Sequence, residues 1–130
     1  MQNTLERKEI VNYKDLIVWQ KAVAFSVKMY KATGKFPKSE LYALVSQLRR
    51  AAVSISSNIA EGHTRQHTGE FIQFLHIALG SSSEVETQLM IARELNYLCG
   101  SEYAELIDGL QEIRKMLNGL VGSLKRKVRC

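Results

Sequence analysis

Two histidines, His63 and His67, stand four residues apart, a spacing that on a helix would set both imidazoles on one face for a metal ion. The stretch between them has no glutamate at the position a zinc hydrolase needs, and 63–68 reads as a polar loop. Glu84, Glu86, Glu94 and Glu105 have no histidine at the offset of a carboxylate-bridged metal bundle, His76 included. Ser54, Ser56, Ser57, Ser81, Ser82 and Ser83 fall inside helical patterns, without the strained turn and nearby base that make a serine nucleophilic. No glycine-rich phosphate loop follows a strand. The residue chemistry therefore predicts no enzyme, no metal and no cofactor.

Polar groups instead gather in QLRRAAVSISSNIAEG (47–62), where small residues separate Gln47, Arg49, Arg50, Asn58 and Glu61. Helices this rich in Ala and Ser allow close interhelical approach, so these residues, with Glu84, are expected to line a structural polar seam. Glu61 lies at a helix C-terminus, where a negative charge is mildly unfavourable; Arg65 or another subunit would offset it, and solvent would serve as well.

Basic residues supply the remaining chemistry. Lys14, Lys21, Lys28 and Lys35 recur every seven residues and form one stripe along the first helix. Successive members stand about 10 Å apart at helical rise, a spacing able to follow a phosphate backbone. The end of the chain adds Lys125, Arg126, Lys127 and Arg129 with no acid among them. With a formal charge of +5, these eight residues are the expected nucleic-acid contacts, sequence-independent and strongly salt-dependent. A solvated charged face is the plainer reading of the same residues.

The elements that position these groups follow from hydrophobic spacing. A chain of 130 residues with 45% apolar and 24% charged residues suits one domain with a real core. A single proline leaves room for long helices. Three- and four-residue apolar steps, with Gly34, Gly62 and Gly100 as stops, predict helices over about 14–33, 39–62, 69–98 and 101–125. Residues 1–12 are expected to be a flexible lead-in, 13–125 the bundle and 126–130 a basic tail. Short connections make the neighbours antiparallel, giving an all-α, up-down-up-down antiparallel four-helix bundle.

Leu16, Trp19, Val23, Val27 and Tyr30 lie on one face of the first helix, beside a second line of Val18, Ala22, Phe25 and Met29. So broad an apolar surface suggests contact with a neighbouring subunit as well as with the core. Gly80 inside the third helix costs about 1 kcal/mol relative to alanine, which close packing would offset; a break into two helices is the alternative. Folding the chain about a loop near Arg65 sets Glu84 opposite Gln47, predicting a partly buried ion pair of Glu84 with Arg49 or Arg50. Folding about Gly100 brings Gly80 level with Gly119 and Gly122.

Cys99 and Cys130 form no C-x-x-C pair, no signal-like apolar run opens the chain, and no window reaches the roughly 20 apolar residues of a membrane span. A reduced, cytoplasmic protein without a membrane partner is the expectation.

Four segments carry a family resemblance: YKDLIVWQKAV (13–23), FPKSELYAL (36–44), QLRRAAVSISSNIAEG and IALGSSSEVETQL (77–89). Together they resemble the bacterial four-helix-bundle proteins encoded in 23S rRNA intervening sequences, most specifically through NIAEG and GSSSE. The resemblance implies a compact bundle assembled as a homo-oligomer, a pentameric barrel-like ring. The chain is also similar to the accessory variability proteins of diversity-generating retroelements, which bind nucleic acid and a reverse transcriptase through a basic surface. RNA or DNA, and a protein such as a reverse transcriptase, are thus the implied partners. The leading expectation is a non-enzymatic oligomer that contacts RNA non-specifically; the alternative is a protein-interaction scaffold without nucleic acid.

Overall fold

Four helices form where the apolar spacing requires them: α1 (Ile17–Thr33), α2 (Leu44–Thr64), α3 (Thr68–Glu94) and α4 (Gly100–Arg129). This computed structural model describes residues 11–129, without the side chain of Arg129. The expected lead-in falls, up to residue 10, outside the described residues, as do Cys130 and the Arg129 side-chain contact. Each helix packs on its sequence neighbours and α1 closes against α4, with no diagonal pair in contact. The fold is all-α, a four-helix bundle, and no strand occurs among the described residues.

Buried side chains show which stripe of each helix faces inward. In α1 it is Val18, Ala22, Phe25 and Met29, whereas Val27 and Tyr30 on the other line remain about half exposed, at 49% and 48%. Leu44, Leu48, Ala52, Ile55 and Ile59 serve α2, and Phe71, Leu75, Ala78, Val85, Leu89 and Ala92 serve α3, as their spacing predicts. Leu41, in line with the α2 stripe, lies before the helix and stays exposed. In α4, Leu106, Leu110, Ile113 and Leu117 complete the core. Burying each large aliphatic side chain contributes about 1.5–3 kcal/mol, so this interior supplies the main drive to fold.

The helix ends differ from expectation for local reasons. A 3-10 turn over Tyr13–Asp15 precedes α1, held by Asn12, whose side chain accepts the Lys14 N–H at 2.9 Å. Leu16 is extended after it, so α1 begins at Ile17. A second 3-10 turn, Lys38–Glu40, delays α2 to Leu44, five residues later than its apolar pattern suggests. Glu40 accepts the Leu44 N–H at 3.4 Å and the Tyr97 hydroxyl at 2.8 Å, tying this turn to the connection between α3 and α4.

Helix α2 runs through Gly62 to Thr64, so Gly62 does not end it. It is instead a point of close approach, where a Cβ would stand 2.6 Å from the Phe74 Cβ. Helix α3 stops at Glu94 because Asn96 turns left-handed at φ 63°, and the Asn96 and Tyr97 N–H groups cap the Arg93 and Ala92 carbonyls. The expected tail is helical, since α4 continues to Arg129. Helix α3 is unbroken at Gly80, and no glycine cluster forms there. Added Cβ atoms at Gly80 and Gly119 would meet open space, and at Gly122 only the Arg126 guanidinium, 3.5 Å away.

Candidate functional site

The lysine stripe is spent inside the molecule. Lys21 pairs with Glu112 at 3.1 Å, Lys28 with Glu105 at 3.7 Å, and Lys35 with Glu102. Two rungs therefore cross between α1 and α4 and a third joins Lys35, just past α1, to the start of α4, because the glutamates of α4 run antiparallel to the lysines. Lys14 alone stands apart, exposed on the turn before α1 and with no ion pair among the described residues. The expected row of four free ammonium groups is thus reduced to one.

The last rung titrates unusually. The Lys35 ammonium foremost, and then the Cys99 N–H at 3.1 Å, hold the Glu102 carboxyl down at about 2, against an ordinary 4.5. The same contact raises Lys35. A carboxyl whose pKa falls on folding stabilises the fold above its unfolded value and loses that contribution as it is protonated. The contribution is therefore full above pH 4.5 and gone by about pH 2. Glu102→Gln should lower the thermal midpoint near neutrality and match the parent at about pH 2. Circular-dichroism melts across that window check it; an offset that persists unchanged at low pH would contradict it.

The polar seam between α2 and α3 forms, with altered membership. Asn58 donates to the Ser54 carbonyl and hydroxyl at 2.8 and 2.9 Å, and Ser54 meets Ser81 across the interface at 2.9 Å. Gln88 donates to Gln47 at 3.2 Å and to Glu84 at 3.4 Å. No ion pair joins Glu84 to Arg49 or Arg50 among the described residues. Partners such as Gln47–Gln88 and Gly62–Phe74 are related about a point past His67 rather than near Arg65. That displaces the register by one helical turn and puts Gln88 where Glu84 was expected.

Arg49 turns to α1 instead, donating to the Thr33 hydroxyl at 2.9 Å and the Tyr30 carbonyl at 3.2 Å, with its guanidinium 4.5 Å over the Tyr30 ring. Arg50 and Glu61 are exposed and without an ion pair among the described residues. Arg65 pairs with Glu70 at 3.5 Å and lies over Phe74, so it does not offset Glu61. Spacing gave no hint of one further network: Arg114 of α4 joins Glu86 at 2.6 Å and Ser83 at 2.9 Å on α3.

While exposed Lys31, Lys38, Arg50 and Lys115 lie elsewhere, four cations without an ion pair among the described residues share one end of the bundle. There α1 begins, α2 ends, α3 begins and α4 ends, so Lys14 lies at the same end as Lys125, Arg126 and Lys127. Those last three are exposed on helix and make no ion pair among the described residues. Their position in the last turns also suits the negative end of the α4 dipole. Between the four helix ends lies a cavity of about 320 Å³. Its lining combines apolar Leu16, Phe71 and Leu124 with Gly62 and with His63, His67 and Lys127 among other polar residues.

His63 belongs to α2 and His67 caps α3, so the pair does not share a helix face. The turn nevertheless brings both rings to one cavity, a convergence that their spacing signalled without its geometry. No cluster of three or more metal-ligating side chains exists among the described residues. No helix among them is long and apolar enough to cross a membrane.

No curated protein matches the chain. Among solved structures, a protein of unknown function from the S23 ribosomal protein family of Bacteroides thetaiotaomicron is similar, with 27% identity and a TM-score of 0.73 over 81% of this chain and 98% of that one. The model of the 23S rRNA-intervening sequence protein family matches residues 14–119, from the turn before α1 well into α4. With the bundle, the NIAEG and GSSSE segments and that match in agreement, the chain belongs to the 23S rRNA-intervening sequence protein family.

Proposed function

We propose that the protein is a non-enzymatic oligomeric bundle that binds nucleic acid, RNA foremost, through backbone electrostatics. The observation that carries this reading is a cluster of four cations, unpaired among the described residues, at one end of the bundle, denser than the scattered Lys31, Lys38, Arg50 and Lys115. Three stripe lysines are neutralised by α4, while Lys14, Lys125, Arg126 and Lys127 stand free at one end. Nothing there presents a reading helix or a row of stacking aromatics, so binding is sequence-independent and governed by counterion release. The test is titration of labelled RNA and duplex DNA at about 50 and 200 mM salt. Affinity should fall steeply with salt, and absence of binding at the lower concentration would refute the reading.

Assembly into a homo-oligomer, a pentameric ring by family resemblance, belongs to the same proposal, as does a cytoplasmic setting. Its support is apolar surface that the bundle leaves uncovered: Val27, Tyr30, Val53, Ile77 and Ile91 are each 39–51% exposed. The same surface favours the second reading, a protein-interaction scaffold, for which a reverse transcriptase is the partner suggested by resemblance. Light scattering distinguishes an assembly from a 14.7 kDa monomer.

A further inference from the structure

The cavity at the basic end is more structured than sequence-independent contact with a polyanion requires. Four helix ends contribute to it, and its lining combines apolar with basic side chains. Of its lining residues, Gly62 and Phe71 are buried, and the Phe71 ring meets the His63 ring edge-on at 5.6 Å. Lys127, His63 and His67 also line it, none with a side-chain hydrogen bond or ion pair among the described residues.

The nearest acid on α3 is engaged elsewhere, because Glu70 faces Arg65. The first turn of α3 opens beside the same cavity without a side-chain cap, so its N–H groups add to the positive field. One ammonium, two imidazoles and this field converge from three elements on a space of about 320 Å³, at the small end for a ligand site.

We infer that this cavity receives the terminal phosphomonoester of a nucleic-acid strand, the phosphate against Lys127, His63 and His67 and the sugar and base against Leu16, Phe71 and Leu124. A monoester carries close to two charges near neutrality, against one for a diester inside a strand, and so suits a cluster of several donors better. The inference rests on the nucleic-acid reading for the identity of the polymer, while the phosphate site itself follows from the cavity.

The experiment compares a short RNA carrying a 5′-phosphate with the same RNA carrying a 5′-hydroxyl, by fluorescence anisotropy, with adenosine 5′-monophosphate and inorganic phosphate as competitors. The phosphorylated end should bind about tenfold tighter, the two competitors should reduce that preference, and His67→Ala and Lys127→Ala should each abolish it. Lys38→Ala, at the opposite end of the bundle, should retain the preference. Equal affinity for both ends in the parent protein overturns the inference while leaving the nucleic-acid reading intact. Competition by the mononucleotide without any end preference assigns the cavity to a free nucleotide and overturns the strand-end occupant. If no RNA binds, the nucleic-acid reading fails. Histidine NMR signals then decide the cavity: shifts of His63 and His67 with the mononucleotide uphold a phosphate site, and unmoved signals overturn it.

Discussion

Gly62→Ala should destabilise the protein by about 3 kcal/mol, through overpacking rather than through loss of a contact. The added methyl would stand 2.6 Å from the Phe74 Cβ and 3.0 Å from the Phe71 ring. A Cβ cannot swing aside as a side-chain tip can, so α2 and α3 would have to part where they pack most closely. Gly80→Ala makes the natural comparison, since its methyl meets nothing within 4 Å. It should stabilise by about 1 kcal/mol through helix propensity alone. Thermal melts should therefore separate the two variants in opposite directions, by about 10 °C down and about 4 °C up. A Gly62→Ala protein as stable as the parent would show that the approach of α2 and α3 is looser than described.

Removing the cations at the basic end should have the largest effect on binding. Lys14, Lys125, Arg126 and Lys127 replaced together by alanine are expected to weaken RNA binding about 100-fold at 50 mM salt, because each released counterion contributes at low ionic strength. These side chains are exposed, and Leu16, Phe71 and Leu124 of the nearby cavity remain in place, so the fold should persist. Anisotropy with labelled RNA, paired with a melt, separates lost affinity from lost structure. Retained affinity in a folded variant would move the interface elsewhere.

The helices and most of the core were readable because three- and four-residue spacing is a local property. Phe71, Leu75, Ala78, Val85, Leu89 and Ala92 are buried just as their steps along α3 imply. Where two stripes lay side by side, as on α1, spacing could not choose between them. The choice fell to the packing of α2 and α4 around α1, which left Val27 and Tyr30 about half exposed. Register was harder still. A turn that reaches past His67, with Gln66 left-handed at φ 62°, shifts α3 by four residues against α2. Gln88 thereby replaces Glu84 as the partner of Gln47, and Arg49 is free to bind Thr33 and the Tyr30 carbonyl. Left-handed conformation is usual for glycine and asparagine, so a glutamine gives no sign of it.

Glycines posed the same difficulty in another form. Gly62 looked like a stop and proved to be a contact, while Gly80 looked like a contact and proved to face outward. A glycine in a helical pattern reports that a side chain is absent, and only the neighbouring helix says why. For the basic residues, the stripe was visible as a row, but its partners Glu102, Glu105 and Glu112 lie 67–91 residues further along the chain and meet it only in space. Their neutralising role depends wholly on how α4 is laid against α1.

The central claim is that the free cations at the end of the bundle, and not the lysine stripe, contact nucleic acid. The slope of log affinity against log salt tests it most directly, measured on single-stranded RNA for three proteins. These are the parent, the variant lacking Lys14, Lys125, Arg126 and Lys127, and one with Lys21, Lys28 and Lys35 replaced by alanine. At roughly 0.7 per phosphate contact, the first variant should lose about 3 from the slope and the second close to none. A loss of slope in the stripe variant, with the end variant unchanged, would contradict the claim.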